Sequence, residues 1–537
     1  MKQFICLFAI LALLSILLPA SAEGSDEIPV SDITFAPGWE TRDNHRVFYE
    51  IFVASFSDSD GDGTGDLRGI INRMDYLNDG DPQSGKSLGV EGIWLTPVFT
   101  SPSYHKYDVT DYYQIDPAFG TTEDLRELIA LCHERGVKLI LDLPLNHTGS
   151  RNAWYGNFKN AHRKNNPSDP WYDFYCWSPS ADADPSGRRF IDTGAGVRVE
   201  ANFSDSMPEL NFDSEQVRET VLDVARYWME LGVDGFRFDA AKYVFLGEHE
   251  RNAAFWAWYT GELRKINPDV YTVAEVWDGD AILDWYTPCM NCFRFSWSQA
   301  EGLLAKTANN GNVTKFARSA QQAQASLRSL NPEAMLIPFL SNHDMDRSGG
   351  FLSVSRGNMA MAASVYLLLP GSPFIYYGEE IGLRGSRGGS DTDANRRLKM
   401  RWGDDDPVQD PPGADYTKQT TDTVLSMLPD ENSLLNHYKR VLLVRRANPE
   451  IARGAIEALT FEEGKAGGFL CSWNGSTVAV LHNPTTRCVT LDLSAVTDLP
   501  FSRIAAELKA LPGKGGAELN GTVLSLGPLT SVVLRMD

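Results

Sequence analysis

The chain has 537 residues, 43% of them hydrophobic, and a formal net charge of −22. That length exceeds one ordinary domain, although an α/β barrel alone can take about 250 residues. The acidic balance disfavours nucleic acid and anionic lipid as partners and favours solubility.

Residues 1–22, MKQFICLFAILALLSILLPASA, combine one lysine, an apolar run from Phe4 to Leu18 and the small-residue triplet Ala20-Ser21-Ala22. This pattern predicts a secretory signal peptide cleaved near Ala22. It implies an extracellular or periplasmic product with no membrane span in its mature form.

The first predicted strand, RVFYEIFVASF (46–56), runs into DSDGDGTGD (58–66). Asp58, Asp60, Asp62 and Gly63 fit the first half of a calcium-loop pattern, but the twelfth position, which should be a bidentate glutamate, is Gly69. Four acids so close together repel one another without a cation. The loop is therefore expected to be a cation site, but not an EF-hand.

Further strands are predicted at 90–99, 137–147, 233–242, 270–277, 334–344 and 372–380, with FRFSW (293–297) as a weaker eighth. Helices are predicted at 121–136, starting on a Thr-x-x-Asp cap and ending at Gly136, and at 215–232, ending at Gly232. Eight strands with intervening helices predict the α/β class and a closed (β/α)8 TIM barrel. Residues 148–206 contain no βα unit but carry many aromatics, so they read as an inserted domain. From about residue 450 short β runs predict an all-β sandwich. The expected organisation is 1–22 signal, 23–147 and 207–448 barrel, 148–206 insert and 449–537 C-terminal sandwich.

Six cysteines follow the signal: Cys132, Cys176, Cys289, Cys292, Cys471 and Cys488. An exported chain permits disulfides, and the sequence does not choose among the pairings. Cys289-Met-Asn-Cys292 lacks a second CxxC or a nearby histidine, which favours a bridge or free thiols over zinc.

In a barrel, functional side chains project from the C-terminal ends of the strands. Here those ends read Asp142…Asn146-His147, Arg237-Phe-Asp239, Glu275-Val-Trp277 and Asn342-His343-Asp344. Alternation puts Arg237 and Asp239 on one face, and an adjacent cation keeps a carboxylate ionised. Three carboxylates with histidines and an arginine in one cleft suit acid/base work on a neutral, hydroxyl-rich substrate.

The motifs DLPLNH (142–147), GFRFDAAKY (235–243), EVW (275–277) and FLSNHD (339–344) resemble, in order, the signature regions of the α-amylase family, glycoside hydrolase family 13. MPELN (207–211), YDVTDYYQIDPAFGT (107–121) and LPGSPFIYYGEEIG (369–382) extend the resemblance across the exported chain. The resemblance implies Asp239 as nucleophile, Glu275 as general acid/base and Asp344 as the third carboxylate. It implies Arg237 as the residue orienting Asp239, His147 and His343 as sugar ligands, Tyr107 stacking under the sugar with Asp108 nearby, Lys242 beyond the cleavage point, and Trp277 as a further substrate-binding residue. It also implies one calcium held by Asp58, Asp60, Asp62, Asp66 and the Thr64 carbonyl. A second calcium at Asn146 is put in doubt by Tyr243, where many relatives have histidine.

Ala240 resembles enzymes that cleave α-1,4 bonds, and MPELN resembles the MPDLN of amylases intermediate between oligo-1,6-glucosidases and neopullulanases. The expected activity is retaining endo-hydrolysis of α-1,4 bonds in starch and related α-glucans by a monomer. The alternatives are an exo-acting α-glucosidase or oligo-1,6-glucosidase, a maltogenic or transglycosylating enzyme, and, from another class, a non-catalytic scaffold.

Overall fold

The computed structural model describes residues 33–179, 187–387, 393–462, 464–513 and 516–536. The expected signal at 1–22 and part of the loop at 382–397 lie outside them. Seven parallel strands form one curled sheet in the order 291–292, 271–274, 235–238, 138–143, 92–95, 48–51 and 374–376.

Two expected strands differ. Within 293–297, Phe295–Trp297 is a 3-10 turn. The strand of this region is Asn291–Cys292, paired with Val273 and Ala274. No regular strand forms at 334–344 either, because Pro338 has no N–H to donate and the Met335 N–H is taken by Asn291 Oδ1 at 2.9 Å. The segment nevertheless closes the barrel. The Ile337 carbonyl accepts from Arg294 N at 3.1 Å on one side; the Leu336 and Pro338 carbonyls accept from Ser372 N at 2.8 Å and Phe374 N at 3.0 Å on the other.

Strands buried on both faces read as continuous apolar runs, as these do. One face fills the barrel interior with Phe48, Trp94, Ile140, Tyr271, Phe293 and Phe374. The opposite face, including Tyr49, Ile93, Leu141 and Phe236, packs into the main core with the surrounding helices. The helix Thr122–Glu134 begins at the expected capping box, Thr121 with Asp124. It is followed by Gly136 in the left-handed region. The second expected helix spans Glu215–Glu230.

Residues between the third and fourth barrel strands build the helix Ala153–Arg163 and a small antiparallel sheet of Trp177–Ser178, Arg198–Glu200 and Phe190–Asp192. Its aromatics pack on one another, with the His162 and Tyr172 rings 4.0 Å apart. At the C-terminus a five-stranded and a three-stranded antiparallel sheet enclose Leu470, Leu481, Leu491, Leu524 and Leu534. Gln324, on the barrel helix Val313–Leu330, ties this module on, accepting from Ile456 N at 2.8 Å and donating to the Gly454 carbonyl at 2.9 Å. The six cysteines among the described residues are free thiols.

Candidate active site

The third and fourth barrel strands pair with Asp142 opposite Arg237. Both side chains are fully buried. Arg237 Nη1 donates to the two Asp142 oxygens at 2.8 and 3.0 Å and to Asp239 Oδ1 at 2.6 Å, while Nη2 donates to Glu275 Oε2. One guanidinium thus holds carboxylates at three strand ends, among them those of Asp239 and Glu275. The backbone joins them too. Ala240 turns the chain in the left-handed region at φ +48°, and the next N–H, of Ala241, donates to the Glu275 carbonyl at 3.1 Å.

Asp344 is held from both sides. Arg397 Nη2 donates to Oδ1 at 2.8 Å, and His343 Nε2 lies 3.0 Å from Oδ2. His343 Nδ1 contacts Glu50 Oε1 at 2.5 Å, and Nε2 also contacts Tyr107 Oη at 2.6 Å, whose hydroxyl donates to Asp142 at 2.8 Å. These contacts fit a doubly protonated imidazole. Burial works against that charge, but Asp344 and Glu50 outweigh it and raise His343 to about 10. Burial alone would raise Asp344; His343 and Arg397 instead hold it well below the usual carboxylate range.

Glu275 behaves in the opposite way. Burial, with the charges of Asp239 and Asp344 and opposed by Arg237, pushes it up to about 8. One carboxyl kept protonated at neutral pH beside another kept ionised is the arrangement that separates an acid from a charge stabiliser.

The carboxyls open onto a cleft of about 500 Å³ lined by Tyr107, His147, Asp239, Glu275, Trp277 and Asp344. His147 donates through Nε2 to the Tyr107 carbonyl at 3.2 Å, leaving Nδ1 as a buried acceptor with no protein partner. The Tyr107 ring stacks on His343, 5.5 Å between centroids. Trp277, nearly half exposed, stacks on Phe295 at 4.9 Å. Lys242 lines the same cleft, its Nζ on the Trp277 carbonyl at 2.7 Å and on Asp278 at 3.0 Å. Asp108 gives its carboxylate to the Ser101 and Ser103 hydroxyls. Arg237 and His343 stand behind the cleft surface, both fully buried.

Sequence reasoning missed Glu50, Arg397, His105 and Phe203. Glu50 had a signal, an acid inside the apolar run FYEIF. Arg397 had none, since it comes from an irregular loop. Phe203, 44% exposed, lines the cleft from the inserted domain and packs on Tyr243 at 4.9 Å. His105 lines it beside Tyr107, whose N–H donates to Nδ1 at 3.1 Å.

In the acidic loop, carboxylate oxygens of Asp58, Asp60 and Asp66 lie within 4.8 Å of one another. Asp62 stands outside that trio, its carboxylate accepting from Thr64 N at 2.7 Å. Asp66 also caps the helix Leu67–Asn72 by accepting from Gly69 N at 2.6 Å. A Cβ on Gly69 would lie 1.9 Å from the Ser57 carbonyl, so the twelfth position has no room for a glutamate. Asn146 is elsewhere, buried against Glu209, whose carboxyl burial and Glu200 raise to about 8.

Carboxylates, histidines and an arginine at the C-terminal ends of barrel strands, open to a cleft, define a barrel enzyme of the glycoside hydrolase type. The family model described as "Alpha amylase, catalytic domain" matches residues 50–454. Alpha-amylase 3 of Dictyoglomus thermophilum is 35% identical over 470 residues, covering 85% of this chain and 88% of that protein. The 4-alpha-glucanotransferase of Thermotoga neapolitana is 30% identical, covering 81% and 95%. Among solved structures, an alpha-amylase from H. orenii superposes with a TM-score of 0.80 at 35% identity, covering 92% of this chain and all of that one. The chain belongs to the α-amylase family, glycoside hydrolase family 13, and is an α-glucan-active enzyme of that family.

Proposed function

We propose that the protein is an exported, endo-acting α-amylase that hydrolyses internal α-1,4 bonds of starch with retention of configuration. The observation that carries this reading is the sharing of one guanidinium by Asp239 and Glu275. Inverting pairs stand about 6.5–9.5 Å apart to admit a water, whereas retaining pairs stand about 5–5.5 Å apart. Two carboxyls on adjacent nitrogens of Arg237 support the closer arrangement.

Asp239 then attacks the anomeric carbon while Glu275 gives its proton to the leaving oxygen. Water, deprotonated by Glu275, hydrolyses the glycosyl-enzyme and restores the proton. Asp344 stays ionised throughout and stabilises the developing positive charge. His147 Nδ1 accepts from a sugar hydroxyl, and Tyr107 and Trp277 supply ring faces.

The Asp58, Asp60 and Asp66 carboxylates fit a hard, oxygen-seeking cation, and calcium is the ion we assign to them. Its contribution is to neutralise the loop and brace the first strand-to-helix connection, and it takes no part in the chemistry. Export rests on the leader at 1–22.

A second reading, transfer of the glycosyl unit to another sugar, is favoured by the likeness to a 4-alpha-glucanotransferase. Product profiles on starch and maltotriose separate the two. Early mixed maltooligosaccharides from starch fit endo-hydrolysis, glucose as the sole early product overturns it, and chains longer than maltotriose from maltotriose establish transfer.

A further inference from the structure

The N-terminal mouth of the barrel, opposite the catalytic cleft, contains a cavity of about 760 Å³. Its wall is made where strands begin, at Lys138, Tyr271 and Asn291, and is completed by Arg264, Arg328 and Arg453. Among the described residues, Lys138, Arg264 and Arg328 reach only neutral oxygens. Lys138 Nζ donates to Asn44 Oδ1 and the Asp269 carbonyl, both at 2.8 Å. Arg264 donates to the Cys289 carbonyl at 2.6 Å and Thr260 Oγ1 at 3.3 Å, and Arg328 to the Arg453 carbonyl at 3.2 Å.

The nearest acids are committed elsewhere or stand at the rim. Asp234 contacts His133 Nε2 at 2.9 Å and accepts from Leu139 N at 2.8 Å; Asp43 is paired with Arg453 at 2.7 Å. Asp269 and Glu333 are exposed. Burial lowers both Arg328 and Lys138; Arg46 adds to the effect on Lys138, and the charges of Asp234, Asp269 and Asp43 oppose it without cancelling it. Arg68, paired with Asp124 and Glu127, is raised instead. Three cations that bond no carboxylate around one concavity are unexpected in a chain carrying 22 excess negative charges. Partly desolvated cations such as Lys138 and Arg328 are stabilised when an anion joins them, and Arg264 stands at the exposed edge of the same wall.

We infer that this cavity is a binding site for a small multivalent oxyanion of the phosphate and sulfate class. Lys138 supplies a point charge, while Arg328 and Arg264 supply planar donor forks suited to bidentate contact. The site faces away from the catalytic carboxyls, so its occupancy reads out independently of hydrolysis.

Calorimetric titration of the full chain tests the assignment, using inorganic phosphate and sulfate in separate runs and chloride at matched ionic strength as the control. The expected result is saturable binding of one oxyanion per chain, weakened at least about tenfold in the Lys138→Gln/Arg328→Gln variant. Binding of phosphate alone or of both anions supports the site and tells which source it prefers. Retained starch hydrolysis certifies that a variant has folded. Arg264→Gln, an exposed single change, serves if the double variant does not fold. Absence of saturable binding up to about 20 mM, or equal affinity in a folded variant and the parent chain, overturns the proposal.

Discussion

Arg397 and His343 hold opposite oxygens of Asp344, one at 2.8 Å and the other at 3.0 Å. Arg397 touches no cleft surface. It acts on the reaction through the carboxylate it fixes, which makes it a positioning residue. Arg397→Ala is expected to lower kcat by roughly tenfold to a hundredfold, the effect of losing one charge-assisted hydrogen bond of about 1.5–3 kcal/mol. Arg397→Lys should recover part of the loss. Steady-state kinetics on a soluble maltooligosaccharide distinguish this from a structural role, in which melting temperature would fall and kcat per folded molecule would not.

The shared guanidinium makes Asp239 and Glu275 interdependent. Asp239→Asn is expected to abolish starch hydrolysis, with a residual rate below roughly one part in a thousand. Glu275→Gln should behave similarly towards starch but retain activity towards substrates with a good leaving group that needs no proton. Equal loss on both kinds of substrate would remove Glu275 from the general-acid role.

Glu275, at about 8, sets the alkaline limit of activity, because the reaction needs its protonated form. The charge of Asp344 raises Glu275. Removing it in Asp344→Asn therefore lowers the Glu275 value and moves the alkaline limb of residual activity to lower pH. A pH–rate profile of the variant that stays put, or shifts to higher pH, contradicts the assignment.

The Asp58, Asp60 and Asp66 cluster predicts a stability effect of chelation without an effect on chemistry. At about one hundred times its Kd a bound ion adds about 2.7 kcal/mol. Chelator is expected to lower the melting temperature by several degrees, and added calcium to restore it. Unchanged melting and activity after exhaustive chelation would falsify the site.

His437 and His482 are buried, and burial depresses each from 6.5 to about 3. A depressed value means that the unfolded chain binds protons that the folded one refuses. Their stability contribution is complete above about pH 6.5 and falls away as pH drops towards 3. His482→Gln is expected to flatten the acid side of a melting-temperature profile between those limits, at some cost in stability at neutral pH, since it removes the hydrogen bond to Ser531 at 2.8 Å.

Local signals carried much of this structure. The Thr121–Asp124 box and the apolar period of 215–232 specify their helices by interactions within a few residues, so both were legible. Polar groups at the ends of apolar runs marked Asp239, Glu275 and Asp344, because an acid beside buried strands needs a reason. The segment 334–340 reads as a strand by composition, but Pro338 and the Asn291 side chain take two N–H donors out of its ladder, which no local pattern reveals. Arg397 reaches Asp344 across a loop without periodicity, and Phe203 enters the cleft from an insertion. Both placements depend on long-range packing.

Arg396 and Arg397 are neighbours that serve opposite ends of one residue. Arg396 Nη1 donates to the Asp344 carbonyl at 2.7 Å, and Arg397 Nη2 to the carboxylate. A loop shortened or lengthened by one residue would present the wrong arginine to the carboxylate while leaving every motif letter in place. The register of the turn Asp393–Arg396, which sets both arginines, is thus part of the wiring of the catalytic centre, and a slip there can silence the enzyme while the three carboxylates stay in the sequence.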